Sequence, residues 1–260
     1  MRIHCSSGPL AASPSACHGH ANPPEVENRR EKSVNVDLPA SRDAPSWPSA
    51  RLLPLGDQHL LVRFSEGLTQ SANAAAIEFA QLLNSSEIPG VLETAPNLVS
   101  VLLRYDPEAI SFMRLSGEIG LRLKTSRAAR ALNANQHKIP VRFDGPDLNE
   151  VAASVELDIA AFITAHNAAP LKALATGFAP GFVYAGFHSE ALRVPRRTRV
   201  RQQVAAGSVL FAAGQTAIAA TDIPTGWHVI GHTEFRNFHP EQDPPSTIRP
   251  GDTLVFEAIK

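Results

Sequence analysis

The sequence predicts a small α+β domain followed by a second domain built mainly from β-strands. Between residues 51 and 123, short apolar runs alternate with two stretches whose apolar residues recur at helical spacing. After Leu171 the helical spacing disappears, and short strand-like runs separated by Gly and Pro continue to the C-terminus. We therefore expect an α+β domain at 51–123, a linker at 124–136, and a closed or nearly closed β-barrel at 137–260.

The first 48 residues have the composition of a disordered tail. They contain seven of the 21 prolines and both cysteines, and they offer too little apolar area to offset the entropy lost on ordering. Cys5, Cys17, His18 and His20 lie together there, but their spacing matches no regular zinc pattern. No continuous apolar run follows Arg2, so a secretory signal is not expected. Because both cysteines precede the folded part, that part has no disulfide, which is typical of cytoplasmic proteins.

Four apolar runs bounded by turn residues predict the strands of the first domain, at residues 52–55, 60–64, 91–94 and 98–105. Thr69 or Ser71 can cap a helix after the second of these runs. Asp106-Pro107 predicts the start of a second helix, since Pro suits the first helical position and Asp caps the position before it.

The second domain begins with a predicted strand from His137 to Phe143. Residues 147–156 and 158–167 predict two short helices, the second capped by Asp158. The alternation of residues from Thr253 to Phe256 predicts the last strand of the barrel.

Composition and charge exclude several classes of protein. The chain has 24 basic and 25 acidic residues, a formal net charge of -1, so no global attraction draws it to nucleic acid or to anionic membranes. Val204 to Thr221 carries no charge, but Gly207 and Gln215 interrupt it, and we expect buried strands and turns there. The sequence contains no phosphate loop, dinucleotide-binding glycine motif, H-E-x-x-H or G-x-S-x-G. An autonomous NTPase, a dehydrogenase, a zinc protease and an α/β-hydrolase are therefore disfavoured.

The segment from Gly177 to Tyr184 combines a Pro180-Gly181 turn with three aromatic side chains, Phe178, Phe182 and Tyr184. Glycine beside aromatic rings lets the backbone approach a flat ligand. Aromatic residues around such a turn can equally well fill one end of a barrel. The sequence favours the second interpretation but leaves both open.

Five arginines occur within nine residues of a nearly neutral protein: Arg193, Arg196, Arg197, Arg199 and Arg201. The guanidinium group offers a planar fork of donors that matches a carboxylate or a phosphate. If the segment is extended, Arg197, Arg199 and Arg201 share one face and Arg196 lies opposite. The cluster predicts either a solvated basic strand or a surface that binds an anionic ligand or a partner.

His228 and His232 are four residues apart, which would suit metal binding only on a helix. In a strand four residues span about 13 Å, too far for two ligands of one ion, so a core strand is favoured from Trp227 onward. His232 and Thr233 follow the Gly231 bend and could face a pocket. The pairs Gly207-Ser208 and Gln215-Thr216 supply further small polar groups.

At these residues the chain resembles a known family. From about Arg51 to Lys260 it is similar to the B subunit of the bacterial multi-subunit 5-oxoprolinase. This group also bears the names allophanate hydrolase subunit 1 and carboxyltransferase subdomain C and D, and it includes Kip-type inhibitors of a sporulation histidine kinase. The matching motifs are Pro54-Leu55-Gly56-Asp57, Tyr105-Asp106-Pro107, Ile139-Pro140-Val141, Gly177-Phe178-x-Pro180-Gly181-Phe182-x-Tyr184, Pro195-Arg196-Arg197, Gly207-Ser208-Val209, Gly214-Gln215-Thr216, Gly226-Trp227, Ile230-Gly231-x-Thr233 and Pro250-Gly251-Asp252.

The resemblance implies a cyclophilin-like β-barrel behind the α+β domain. It also implies a cytoplasmic hydrolase subunit that works with homologues of the A and C subunits to open 5-oxoproline to glutamate at the expense of ATP. Phosphorylation of a lactam oxygen supplies a good leaving group, and arginines can hold the phosphate and the substrate carboxylate. Without a phosphate loop, ATP is expected to bind another architecture or a shared subunit interface. Two alternatives stay open, a non-catalytic Kip-type histidine kinase inhibitor and an allophanate hydrolase subunit.

Arg196 and Arg197 are the first choices for the phosphate-binding or substrate-binding role by their position in the family motif. The other candidate binding residues are Arg201, Phe178, Pro180, Gly181, Tyr184, Gln215, Thr216, His232 and Thr233. No catalytic residue and no metal ligand is predicted. The chain departs from the family pattern at Val200, Ala217, Ala219, Thr225 and His232.

Overall fold

The computed structural model of the protein describes residues 34–35, 48–125 and 134–260. The predicted tail lies outside the described residues except for a two-residue strand at 34–35, and so does most of the predicted linker. Residues 33–260 form one compact unit. Two separate layers of secondary structure within this unit position the candidate site.

An antiparallel sheet and two helices make up the first layer. Its strands are β1 (Val34–Asn35), β2 (Arg51–Leu55), β3 (His59–Arg63), β4 (Val91–Pro96) and β5 (Ser100–Tyr105), with α1 (Gln70–Ser85) and α2 (Phe112–Thr125). The strand order is β1-β2-β3-β5-β4. Alternate residues of β3 and β5 are buried, as expected for strands with one face on a core.

Helix α1 begins where the sequence predicts. The Thr69 hydroxyl accepts a hydrogen bond from the Ala72 N–H at 3.2 Å and so caps the helix. Its buried side includes Phe79, whose ring meets Phe64 edge to face at 5.9 Å. Asn73 is also buried on α1, and its amide nitrogen donates to the Leu98 carbonyl at 2.9 Å and to the Leu174 carbonyl at 2.8 Å. Asn73 therefore ties the first layer to the barrel.

Helix α2 begins later than predicted. Asp106-Pro107 does not start a helix, because the Asp106 carboxylate accepts from the Glu108 N–H at 2.9 Å and closes a local turn instead. The Asp106 N–H also donates to the Gly90 carbonyl at 2.8 Å, which holds this turn beside β4. The helix starts at Phe112, where the Ser111 hydroxyl accepts from the Arg114 N–H at 3.3 Å.

Nine strands and two α-helices occupy residues 134–260, together with one 3₁₀ turn at Glu190–Leu192. They are β6 (Gln136–Arg142), α3 (Leu148–Ser154), α4 (Ile159–His166), β7 (Leu171–Thr176), β8 (Val183–Gly186), β9 (Arg201–Val204), β10 (Ser208–Ala212), β11 (Gln215–Ile218), β12 (Ile223–Thr225), β13 (His228–His232) and β14 (Thr253–Ile259). Seven of the strands form a closed barrel in the order β10-β11-β8-β7-β14-β6-β13, while β9 pairs with β12. The predicted mainly β barrel is confirmed. Strands β6 and β14 pair in parallel along their whole length. The C-terminal strand therefore lies beside β6, which is the first barrel strand in chain order.

Two apolar clusters fill opposite faces of the barrel wall. Strand β11 shows the division, because Ile218 belongs to the cluster inside the barrel while Ala217 belongs to the cluster outside it. By the two-residue period of a strand, Thr216 faces inward with Ile218. The outer cluster continues into Val204 of β9 and Ile223 of β12, so the small β9–β12 sheet covers this side of the barrel. No helix within the described ranges combines the length and apolar character that a membrane crossing requires.

Candidate functional site

The arginines of the basic segment have different partners. Arg193 pairs with Glu190 at 3.1 Å on the surface. Arg199 is exposed at a bend, so the segment is not one extended strand. Arg197 and Arg201 converge on Asp147. The guanidinium of Arg196 lies over the Trp227 ring, 5.7 Å from its centroid.

Asp147 is a buried carboxylate that holds two of the predicted arginines. Arg197 Nη1 donates to Asp147 Oδ1 at 2.7 Å, and Arg201 Nη2 donates to the same oxygen at 2.5 Å. The other oxygen accepts from the Val229 N–H at 2.8 Å. Burial alone would raise the pKa of Asp147, but the Val229 hydrogen bond and the two guanidinium groups lower it overall. Arg197 and Arg201 are therefore bound to an internal anion, which links the start of α3 to β13 and β9.

Asp147 immediately precedes α3 but does not cap it with its side chain. The arginines and Val229 take up its oxygens, which explains why the predicted helix start has no side-chain cap. Gly145 lies in the same turn, and a Cβ atom there would come within 2.3 Å of the Val229 carbonyl oxygen. The backbone of this turn therefore packs directly against β13.

Four aromatic side chains form a row along the outer side of the barrel. The ring centroids of Phe178 and Phe182 are 5.5 Å apart, those of Phe182 and Tyr184 4.8 Å, and those of Tyr184 and Trp227 6.0 Å. Arg196 completes this aromatic row at its Trp227 end. Burial raises the pKa of Tyr184 although the positive charge of Arg196 opposes the shift, so the hydroxyl stays protonated and can donate. A cation over an aromatic face, whose charge also acts on a nearby hydroxyl group, is suited to an anionic ligand.

The Pro180-Gly181 turn packs against a later segment of the chain. Gly181 has φ +69°, and a Cβ atom there would lie 2.6 Å from Phe238 Cβ. The Asn237 amide donates to the Gly181 carbonyl at 2.9 Å. A shallow cavity of about 420 Å³ lies between this turn and Phe238. Phe182 is buried in the apolar cluster outside the barrel wall, whereas Phe178 is 70% exposed and belongs to the surface.

Gln215 and Thr216 lie at a different place from the aromatic row. The Thr216 hydroxyl is fully buried and lies 2.8 Å from His166 Nε2 and 2.8 Å from His188 Nε2. The two imidazole rings lie 4.7 Å apart between centroids. Burial lowers the pKa of His166 to about 4, and burial together with His166 lowers the pKa of His188 to about 3. Both rings are therefore neutral at pH 7.

The histidine pair was not predicted from the sequence. His166 occupies an apolar position on the periodic face of α4, which looks like ordinary core packing, and His188 lies in a loop without a motif. The pairing depends on the inward face of β11, which becomes clear only when the barrel closes. A period-two analysis of β11 could have placed Thr216 inside the barrel, but not beside these rings.

The hydrogen bonds and packing contacts of His228, His232 and Thr233 do not involve the Arg196 side chain or the aromatic row. His228 Nε2 donates to the Pro195 carbonyl at 3.0 Å, so this ring supports the start of the basic segment. His232 packs on Gly207, and the Thr233 hydroxyl accepts from the Phe235 N–H at 3.1 Å. In the part of the chain that the structure describes, no three His, Cys, Asp or Glu side chains are grouped to hold a metal ion.

Residues 50–248 match the sequence model of the carboxyltransferase domain, subdomain C and D. The chain belongs to this family. The resemblance predicted from the sequence motifs is thereby confirmed. The matched range includes strands β2 to β5 of the first sheet, six of the seven barrel strands, and every residue of the aromatic row.

Two curated proteins similar to this member of the carboxyltransferase C and D family are named as the B subunit of 5-oxoprolinase. The protein from Bacillus subtilis (strain 168) is 31% identical over 218 residues, which cover 79% of this chain and 91% of the relative. The protein from Escherichia coli O157:H7 is 32% identical over 212 residues, which cover 80% of this chain and 95% of the relative. The similarity therefore spans nearly the full length of both relatives.

Solved structures show the same fold. The crystal structure of TTHA0988 has a TM-score of 0.69 and 32% identity, and the match covers 78% of this chain but 40% of that one. The urea amidolyase of Kluyveromyces lactis also has a TM-score of 0.69, with 16% identity, 86% of this chain covered and 15% of the enzyme. The second likeness concerns the fold alone. The chain thus spans less than half the length of both solved chains.

Proposed function

We propose that the protein is the B subunit of an ATP-dependent 5-oxoprolinase-like hydrolase. In this proposal it acts with homologues of the A and C subunits to open 5-oxoproline to glutamate. Similarity over more than nine tenths of two proteins named as 5-oxoprolinase B subunits supports the assignment. We also propose a two-domain organisation, with an α+β domain at 51–123 and a cyclophilin-like barrel at 137–260.

The observation that carries the proposal for this chain's own role is the placement of Arg196. Its guanidinium lies over the Trp227 ring, and its positive charge acts on the pKa of the Tyr184 hydroxyl. Arg197 and Arg201 are already paired with Asp147. Of the three arginines predicted as binding residues, Arg196 is therefore the one that can hold an external carboxylate or phosphate. Arg197 and Arg201 support the segment that presents it.

The proposed reaction needs an activated lactam, because an amide carbonyl is a poor electrophile. The lactam oxygen attacks the γ-phosphorus of ATP, an O–P bond forms, and ADP leaves. Water then adds to the carbon, and the C–N bond breaks with protonation of nitrogen, which leaves an acyl phosphate. A second water adds to this acyl carbon, and phosphate departs to leave the glutamate carboxylate. Arg196 and Tyr184 would stabilise negative charge on the phosphate or on the substrate carboxylate. The remaining ATP contacts are expected from a partner protein of the complex.

The test compares Arg196→Lys with the matched exposed control Arg199→Lys in a complex reconstituted with the A and C subunits. Lysine keeps the charge but loses the planar fork of donors. We expect Arg196→Lys to lower turnover by about tenfold or more, which corresponds to the roughly 1 to 3 kcal/mol of a charge-assisted hydrogen bond. Arg199→Lys should stay within about twofold of the unmodified protein. Equal tolerance at both positions would contradict the anion-binding role.

A non-catalytic inhibitor of a histidine kinase is the second candidate, and the exposure of Phe178 favours it. An aromatic ring that is 70% exposed suits a protein partner as well as a small ligand. If Phe178→Ala and Arg196→Lys abolish binding to a partner protein but leave lactam turnover intact, the inhibitor function is supported instead. Assays with allophanate in place of 5-oxoproline test the other amide substrate.

A further inference from the structure

A cleft of about 450 Å³ lies between helix α1 and strands β7 and β8 of the barrel. The residues of α1 that line it share one face of the helix: Gln70, Asn73, Ala74, Ile77 and Glu78. Across the cleft lie Lys172 and Leu174 of β7, Gly186 at the end of β8, and Phe187. The lining includes neither Arg196 nor any residue of the aromatic row, so the cleft is separate from that candidate surface.

Asn73 offers the cleft a hydrogen-bond acceptor. Its amide nitrogen lies 2.9 Å from the Leu98 carbonyl oxygen and 2.8 Å from the Leu174 carbonyl oxygen. Because carbonyl oxygens only accept, this end of the side chain is the NH₂ group, and both of its hydrogens are in use. The other end, Oδ1, accepts no hydrogen bond from a described residue. It is also not among the unpaired atoms sealed inside the described part of the chain.

The small accessible part of Asn73 faces the cleft. Only 4% of this residue is exposed, and it lies on the helix face that lines the cleft. Since both amide hydrogens are bound to carbonyl groups, Oδ1 is the polar atom that a molecule in the cleft can reach. Those two hydrogen bonds also fix the side chain, so little conformational entropy is lost when a ligand donates to it.

The rest of the cleft favours a neutral and largely apolar molecule. Ile77 and Leu174 are buried side chains of its walls, and Phe187 leaves 37% of its surface exposed beside them. A partly exposed aromatic ring pairs favourably with a second ring. The two charged residues of the described lining, Glu78 on α1 and Lys172 on β7, have opposite signs. The described lining therefore carries no net charge that would select an ion.

We propose that this cleft binds a small neutral aromatic compound with one hydroxyl donor, of the phenol class, whose O–H donates to Asn73 Oδ1. The ring of this ligand contacts Ile77, Leu174 and Phe187, which come from both layers of the fold. The volume of the cleft is within the range of small-molecule sites, and such sites often lie where two packed units meet. The inference rests on the contacts of the cleft alone, so a failure of the proposed function leaves it standing.

The experiment uses the full chain and two probes that differ at the donor, phenol and its methyl ether anisole. Binding is measured by ligand-observed saturation-transfer NMR over a range of concentrations. We expect phenol to bind with a Kd of about 1 mM and anisole to bind at least about tenfold more weakly, since anisole cannot donate to Asn73. Equal affinities, or no binding of phenol at about 10 mM, would overturn the proposal.

A pair of variants tests the location of the site. Ala74 is exposed on the cleft face of α1, so Ala74→Trp places an indole ring in the cleft without altering the core. Gln81→Trp is the matched control, because Gln81 is exposed about two turns further along the same helix and does not line the cleft. We expect Ala74→Trp to weaken phenol binding at least about tenfold and Gln81→Trp to stay within about twofold. Unchanged binding to the Ala74 variant would place the site elsewhere.

A measurement on the unmodified protein guards against variants that do not fold. The side-chain amide of Asn73 gives its own pair of signals in a ¹H–¹⁵N spectrum. We expect phenol to shift these signals, because a donor at Oδ1 polarises the amide group, and anisole to leave them in place at the same concentration. An Asn73 amide that ignores phenol, or that responds equally to anisole, would refute the assignment of the acceptor.

Discussion

At the scale of single residues, the chain separates charges that the sequence places side by side. Arg196 and Arg197 are neighbours, yet one rests on Trp227 and the other binds Asp147. The sequence could predict that an arginine cluster needs anions, since repulsion among guanidinium groups must be offset. It could not predict which anion serves, because Asp147 lies 50 residues from Arg197. Only the packing of α3 on β13 brings them together.

We expect Asp147→Asn to destabilise the fold by about 3 kcal/mol, since it leaves Arg197 and Arg201 without their buried counter-ion. Chemical denaturation at pH 7 measures the free energy of unfolding. Glu234→Gln is the control, because it alters an exposed carboxylate that pairs with Arg142 at 3.4 Å, and it should change stability by less than about 0.5 kcal/mol. Equal losses in the two variants would mean that the Asp147 cluster is no stronger than a surface ion pair.

At the scale of elements, local signals located most strands and helices. The Thr69 cap and the paired strands of the first sheet followed from turn residues and apolar periodicity. The predicted start of α2 at Asp106-Pro107 was wrong, because an aspartate before proline can close a turn as readily as it can cap a helix. The closure of the barrel by β14 alongside β6 was beyond local reasoning, since it pairs strands more than 100 residues apart.

The histidine pair behind β11 makes stability depend on pH. The folded pKa of His166, about 4, lies below the value of 6.5 for an unperturbed histidine, so the unfolded chain binds more protons between these values. Stability is therefore fully present above pH 6.5 and is lost as the pH falls. We expect His166 alone to lower the free energy of unfolding by about 2 kcal/mol between pH 7 and pH 5. Urea denaturation at the two pH values measures this, and a constant or rising stability would contradict it.

The Pro180-Gly181 turn requires glycine for both conformation and space. Gly181 has φ +69° and packs on Phe238, while Gly56 has φ +63° with open space around it. Gly56→Ala should cost about 1 kcal/mol for the left-handed backbone alone. Gly181→Ala should cost about 3 kcal/mol because the methyl group also overlaps Phe238. Thermal unfolding of both variants tests this difference, which should vanish if the turn can move away from Phe238.

At the scale of the whole molecule, the first sheet and the barrel have separate apolar cores. The first sheet has its own apolar core, and the barrel has one cluster inside its wall and one outside. The two layers meet at Asn73, which hydrogen-bonds to the barrel, and at a cleft of about 450 Å³ between α1 and the barrel. None of the residues predicted as binding residues lines that cleft. Arg196 and the aromatic row, which form the candidate ligand surface, belong to the barrel.

Family motifs predicted the right family because they mark backbone turns and packing positions that recur in order along the chain. They could not separate binding residues from structural ones. Arg197 and Gly181 lie within motifs but bind or pack against other parts of the same chain. The division of β8 and β11 between an inner and an outer face decides which motif residues can meet a common ligand.

The most direct measurement is 5-oxoproline-dependent ATP hydrolysis by homologues of the A and C subunits, purified with and without this chain. Glutamate and ADP are quantified together, so that ring opening and phosphate transfer are followed in one assay. We expect glutamate and ADP to form steadily only when all three proteins are present. This chain alone should show no steady ATP hydrolysis. Full activity of the A and C subunits without it, or steady turnover by the purified single chain, would contradict its role as a B subunit that shares the site.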